Sequence, residues 1–289
     1  MSVSTSEFKT DAIGSWSDPD EFVVERDRIQ AYAAATNDPF EPHQSGAIAP
    51  PVFAVVPAFG ALAASSVSVI PGDYLMMVLH GEQDFHFHRP IEPGMTLVTR
   101  AAPIGMRTRS SGVTVTVKGE TRDKDSDDLV VEQYMMSFVR GAEGAGDAGD
   151  AGPEHGFDDS LREREPDAET AQTFDEDQTF RYAEAAGDPM PIQLDDEIAK
   201  SMGLPGIIIH GLCTMAFTSV AAIEHACPDD PTRLKRLAVR FSKTAQPKQA
   251  ITTRIWNVGE RGERGAYAYE TTSDSGDVVI KDGLAEFAR

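Results

Sequence analysis

The chain has 289 residues, 40% of them hydrophobic and 25% charged, the balance of an ordinary globular protein large enough for one big or two modest domains. Its net charge of −21 repels nucleic-acid phosphates and anionic membranes, so neither is expected as a partner. No apolar run approaches the roughly 18–20 residues of a membrane span. The polar N-terminus does not predict a signal peptide, and Cys213 and Cys227 form neither a C-x-x-C nor a metal spacing, so both read as reduced thiols of a cytoplasmic protein. Part of the acidity lies in one segment. For the rest two readings stand side by side: a well-solvated surface, or a protein from a salt-loving host.

In chain order, the first marker is Tyr32-Ala-Ala-Ala-Thr-Asn-Asp38-Pro39. An apolar, small-residue helix is predicted after Pro50, in PPVFAVVPAFGALAASSV, then alternating strands over 82–89, 96–104, 112–122 and 129–140. Residues 141–177, starting GAEGAGDAGDAG and continuing as an acidic run, have too few aliphatic side chains to offset ordering entropy and predict a flexible linker. The pattern then repeats. Tyr182-Ala-Glu-Ala-Ala-Gly-Asp188-Pro189 returns the first marker at a constant offset, GLCTMAFTSVAAIEHA after His210 returns the helix, and strands are predicted over 235–242, 250–258, 265–272 and 277–288. The glycine-rich stretch from Gly259 to Gly265 reads as a hairpin loop rather than a phosphate cradle. One apolar helix and several antiparallel strands, twice over, predict an α+β protein of two curved sheets, each wrapped round a helix and paired as a pseudo-dimer. The halves are 1–140 and 178–289.

The chemistry concentrates in the second half. Gly187-Asp188-Pro189 is by itself a turn, and Asp188 by itself a helix cap. His210-Gly211, however, stands at the mouth of the apolar helix, whose first N–H groups are unsatisfied and partly positive. A glycine there admits a ligand oxygen close to the backbone, as a thioester carbonyl requires when it becomes an enolate. A carboxylate nearby can take a proton from water adding across a conjugated double bond.

Gly187-Asp188-x-x-Pro191-Ile192-x followed by His210-Gly211-Leu212-Cys213-Thr214 resembles the motif of the (R)-specific enoyl-CoA hydratases, the hydratase-2 or MaoC-like group. Leu79-His80-Gly81-Glu82-Gln83, Arg89-Pro90, the Ala49–Phe53 run and Arg240-Phe241-Ser242-Lys243 extend that resemblance to all but the linker. It implies a double hot-dog fold with an acyl-thioester tunnel between the halves, the N-terminal repeat being degenerate and housing the acyl chain. The implied activity is reversible hydration of a trans-2-enoyl thioester to an (R)-3-hydroxyacyl thioester, carried by coenzyme A or acyl carrier protein, with no metal or organic cofactor. A homodimer is left open. Asp188 matches the general base, Gly211 N–H the oxyanion donor, and His210 orients the helix mouth. Met190 replaces the family Asn and Gln193 the catalytic His; Gln can orient a water but cannot carry its proton. His80 and Met190 fall among the substrate contacts. Arg240 and Lys243 are the basic candidates for coenzyme A phosphates, though a plain surface strand explains them nearly as well.

The lost spacing survives elsewhere. Asp38 and His43 occupy the positions of Asp188 and Gln193, an alternative catalytic pair in the first half. The sequence favours the second half, because the first enters its helix through Pro50-Pro51, which carry no N–H. His86 and His88 share a strand face with Asp84 without a fourth ligand, which predicts a solvated face and no metal site. A non-catalytic thioester-binding protein and a hot-dog thioesterase remain the competing readings.

Overall fold

The computed structural model describes residues 7–143 and 146–289. In chain order its elements are β1 (Asp20–Val23), α1 (Arg26–Ala35), α2 (Glu41–Gln44), α3 (Phe59–Val69), β2 (Val78–Phe87), β3 (Thr96–Arg109), β4 (Gly112–Asp123), β5 (Leu129–Arg140), β6 (Ala148–Gly149), β7 (Ala168–Thr173), α4 (Gln178–Ala186), α5 (Asp196–Ser201), α6 (Gly211–Ala226), β8 (Leu234–Phe241), β9 (Ala250–Arg261), β10 (Arg264–Ser273) and β11 (Val278–Ala288). Two compact units share them, one of Met1–Phe22, Pro57–His88 and Thr96–Glu154, the other of Val23–Val56, Arg89–Met95 and His155–Arg289.

In the first unit an antiparallel sheet runs β1-β3-β4-β5-β2, with the short β6 on β3. Strand alternation lays Val113, Val115 and Val117 of β4, with Met135 and Val139 of β5, against Ala58, Leu62 and Val69 of α3 and its approach. The second unit repeats the plan as β7-β9-β10-β11-β8 around α6. From Leu212 to Ile223 that helix is nearly apolar and every residue is buried, so no face of this stretch meets water. Each unit is a sheet curved round a helix, as the alternating strands and the repeated apolar helix predict, and the chain is a double hot-dog, as the resemblance implies.

Three features depart from the sequence reading, each for a local reason. The helix predicted after Pro50 is broken: a 3-10 stretch, Pro51–Val55, gives way to α3 only at Phe59. Pro57 has no N–H, and the Phe53 carbonyl four residues back accepts from Val56 N instead, at 2.8 Å. The chain divides between its two units at that break. Residues 141–177 contain β6, a 3-10 turn at Asp159–Glu163 and β7, which pairs with β9 along its whole length. The sequence of β7, Ala-Glu-Thr-Ala-Gln-Thr, alternates half-buried and exposed positions without one large apolar side chain, as a sheet edge can, so it gives no hydrophobic signal. The segment between the second motif and its helix, absent from the first repeat, holds α5, capped by Asp195 accepting from Ile198 N at 3.0 Å.

Candidate active site

Both motif copies lie in the second unit, where their helices α1 and α4 pack together. Tyr32 and Tyr182, the first residues of the two markers, are fully buried and face each other edge-on, centroids 5.7 Å apart. Around them the backbone ends of the helices are exchanged. Gln178 Nε2 donates to Ala35 O at 2.6 Å and Arg28 Nε donates to Ala185 O at 2.7 Å. Residues 28 and 178, like 35 and 185, correspond at the offset that relates the two markers, so the repeat legible in the sequence is also a repeat of contacts.

At the first motif, Asp38 and His43 form a closed pair. His43 Nδ1 stands 2.8 Å from Asp38 Oδ2, with both side chains almost wholly buried. Asp38 Oδ1 accepts from Phe40 N at 3.0 Å, and the Phe40 ring meets the imidazole edge-on. Against an ionised carboxylate, which only accepts, Nδ1 is the donor, and in the neutral ring that leaves Nε2 to present a lone pair. Nε2 has no hydrogen-bond partner among the described residues. That is the arrangement of a base held in one tautomer by its carboxylate.

The second motif is built differently. Asp188 is half-buried, and burial raises its carboxyl above the usual range, with the His210 ring a smaller opposing influence. His210 is buried, its pKa lowered by burial more than Asp188 raises it, so the ring is neutral. Its Nε2 donates to the Asp188 carbonyl oxygen at 3.0 Å, because a carbonyl can only accept. Nδ1 is then bare and accepts from Thr179 Oγ1 at 2.9 Å. His210 therefore ties the motif to the helix mouth through its ring and leaves the first turn of α6 without a side-chain cap. Gly211 is exposed, and a Cβ there would meet the Phe241 ring at 3.1 Å. The glycine thus has a packing reason beside the one the sequence offers. Gln193 Oε1 is buried without a hydrogen-bond partner among the described residues, and Met190 is 50% exposed.

The two centres lie near opposite ends of α6. His210 directly precedes its start, whereas Glu224 near its end is raised by burial and, to a lesser degree, by the charge of Asp38. Gly211 and Glu224 are 13 residues apart, a rise of roughly 20 Å.

The remaining candidates fall elsewhere. Arg240 Nη1 is 3.2 Å from Asp282 Oδ2, which offsets part of its charge, while Lys243 is exposed. His80 belongs to the first unit, where Nε2 meets Gln83 Oε1 at 3.1 Å and Gln83 Nε2 donates to Gln133 Oε1 at 3.1 Å. Burial pushes His80 down to about 4, so it is no cation for a phosphate. The strand face of His86 is less solvated than predicted: Asp84 is 3% exposed and 3.3 Å from His86 Nε2. No group of three metal-ligating side chains exists among the described residues. Both cysteines are free and buried, and burial raises both thiols. Among the described residues no helix is long and apolar enough to cross a membrane. Sequence reasoning missed Thr179 and Arg28, which carry no motif; only the offset repeat points to position 28.

Comparison with known proteins matches residues 36–141 to the MFE-2 hydratase 2 N-terminal domain and residues 159–278 to the MaoC like domain. The chain is 32% identical over 210 residues to a probable enoyl-CoA hydratase 2 of Dictyostelium discoideum, covering 73% of this chain and 70% of that one. It is 31% identical over 250 residues to the 3-hydroxyacyl-thioester dehydratase Y of Mycobacterium tuberculosis, covering 82% and 81%. Its fold matches the crystal structure of a MaoC-like dehydratase from Phytophthora capsici with a TM-score of 0.83 at 25% identity, over 97% of this chain and 99% of that one. Two hot-dog units, a duplicated aspartate motif and these likenesses over most of its length agree: the chain belongs to the MaoC-like, hydratase 2 family.

Proposed function

We propose that this chain reversibly hydrates a trans-2-enoyl thioester of coenzyme A to the (R)-3-hydroxyacyl thioester, with Asp38 and His43 as its acid–base pair. The observation that carries the assignment of residues is the buried 2.8 Å contact between them, which leaves His43 Nε2 unpartnered. The enoyl-CoA hydratase and 3-hydroxyacyl-thioester dehydratase relatives support the reaction class.

The steps balance with one water. His43 Nε2 takes a proton from the water while its oxygen bonds to C3. The C2–C3 π electrons move toward the thioester carbonyl as an enolate, and Nε2 returns the proton to C2. Asp38 holds the ring and stabilises the imidazolium between these events. Gln193 in the second motif has no proton to give, so the same cycle is not available there through that side chain.

A second reading rests on one specific observation. Asp188 has a raised carboxyl close to an uncapped helix mouth, and a carboxylate of raised pKa can both take and return a proton. Its oxyanion donor would be Gly211 N–H, which Pro50 and Pro51 cannot match at the first motif. Loss of the enoyl absorbance, followed with the wild type, His43→Ala and Asp188→Asn, separates the two. The proposal expects His43→Ala to lose activity and Asp188→Asn to keep most of it; the reverse order assigns the chemistry to Asp188. Hydration of no chain length by the wild type would remove the enzymatic reading, and thiol release from saturated acyl-CoA would replace it with a thioesterase.

A further inference from the structure

The exchange between α1 and α4 is symmetric in position but not in chemistry. On one side the Gln178 amide holds Ala35 O, while its Oε1 accepts from Asn37 Nδ2 at 3.3 Å and from Asp175 N at 3.0 Å. That side chain is fully buried, with both lone pairs of its oxygen and one of its two amide hydrogens in use. On the other side the same role falls to an arginine. Arg28 needs only Nε to hold Ala185 O, and its two Nη groups have no hydrogen-bond or ion-pair partner among the described residues. The guanidinium is half-buried, and Nη2 lies 3.2 Å from where a Cβ on Gly187 would stand. Gly187 is in the left-handed conformation, φ +73°, which both turns the chain into Asp188 and leaves room for the arginine.

An arginine fixed through Nε presents a rigid planar edge of donors, the shape that two oxygens of a phosphate or carboxylate fit. In a chain of net charge −21 such an anion needs a local cation to approach at all. The surroundings on this side suit a bound ligand better than a second acid–base pair: Gln193 Oε1 is buried and unpaired, His210 is neutral, and α6 is uncapped.

We propose that Arg28 reads an anion beside the Asp188 motif, its Nη edge binding an oxyanion of the thioester ligand. The anion is a phosphate of coenzyme A or a carboxylate at the far end of the acyl group. This rests on the thioester reading of the fold but not on which motif performs the proton transfer.

The structure supplies its own control. Gln178 demonstrates that an amide at this position of the exchange holds the carbonyl, so Arg28→Gln removes the cation and keeps the clasp. Calorimetric titration of the full chain and of Arg28→Gln uses four ligands that cannot be hydrated: free coenzyme A, butyryl-CoA, succinyl-CoA and S-butyryl-pantetheine. Loss of a charge-assisted bond weakens binding on the order of ten- to a hundredfold. If the anion is a phosphate, all three coenzyme A ligands weaken by that factor and the pantetheine does not. If it is an acyl carboxylate, succinyl-CoA alone weakens. Equal affinities of the two proteins for all four, or a loss shared equally by the pantetheine, overturn the role of Arg28 while leaving the thioester reading intact. A wild type that binds none of the four overturns both.

Discussion

Replacing Asp38 by Asn tests the acid–base pair with the least structural damage. The amide keeps the volume of the carboxyl and retains one acceptor, enough for the 3.0 Å contact from Phe40 N. The other arm becomes an NH2 facing His43 Nδ1, where a carboxylate oxygen stood at 2.8 Å. Two donors cannot share that contact, so the ring must move its hydrogen to Nε2 and offer Nδ1 as the acceptor. The working nitrogen then has no lone pair. A base lost in this way costs roughly 10²–10⁴ in kcat, about 3–5 kcal/mol of barrier, whereas the fold loses about 1–3 kcal/mol for a weakened buried contact. The assay is steady-state hydration of an enoyl-CoA alongside urea denaturation of the same protein. A folded Asp38→Asn protein with more than about a tenth of wild-type kcat would refute the reasoning. So would His43→Ala with unchanged turnover.

Three further outcomes follow from buried polar groups. Burial holds the folded Asp188 carboxyl above its ordinary value, so the stability tied to it is fully present below that value and is lost as pH rises through the folded pKa. Asp188→Asn should therefore raise the melting temperature at neutral pH and lose that advantage in acid; a pH series of thermal melts checks it. His210 and His80 are depressed, His80 to about 4, so both must charge on unfolding in acid. Their contribution is present above the ordinary histidine value and falls as pH drops from about 6.5 toward 4, a decline that His80→Gln should lessen in urea titrations at successive pH values. Gln193 Oε1 is buried without a partner, so Gln193→Leu should stabilise the fold by about 1–2 kcal/mol in urea and leave enoyl-CoA turnover at the first motif unchanged.

Much of the architecture is legible in the sequence because it depends on patterns that few residues can disguise. Val113-Thr-Val-Thr-Val117 alternates and is a strand with its valines buried; the nearly apolar stretch after His210 is a helix buried all round from Leu212 to Ile223. What escapes is whatever depends on long-range partners. β7 is a strand because β9 offers it a ladder, not because its own side chains demand burial. The Asp38-x4-His43 spacing is visible, and the prolines that follow argue against it, yet nothing local to the sequence reveals that the two side chains are buried against each other at 2.8 Å. Met190, Arg240 and Lys243 are recognisable as motif positions, but Asp282 near Arg240 comes from another strand. Arg28 is the clearest case: its meaning lies in a carbonyl 157 residues away.

The repeat also suggests how its copies came to differ in duty. A symmetric exchange of carbonyls between α1 and α4 fixes both motif aspartates with respect to the same tyrosine pair, so either end can carry chemistry without remaking the scaffold. At the Asp38 end the clasp is Gln178, neutral and held by three hydrogen bonds, and the motif keeps its histidine. At the Asp188 end the clasp is Arg28, charged and only partly used, while the histidine position holds Gln193. A cation near the second motif would favour the ionised form of an incoming ligand and work against a base that must be protonated as the cycle proceeds. Proton transfer at one end and anion binding at the other is thus the division that the two clasps favour. The pair of substitutions that would exchange them, Arg28→Gln with Gln193→His, should move hydration activity toward Asp188 if the clasps are what keep the duties apart.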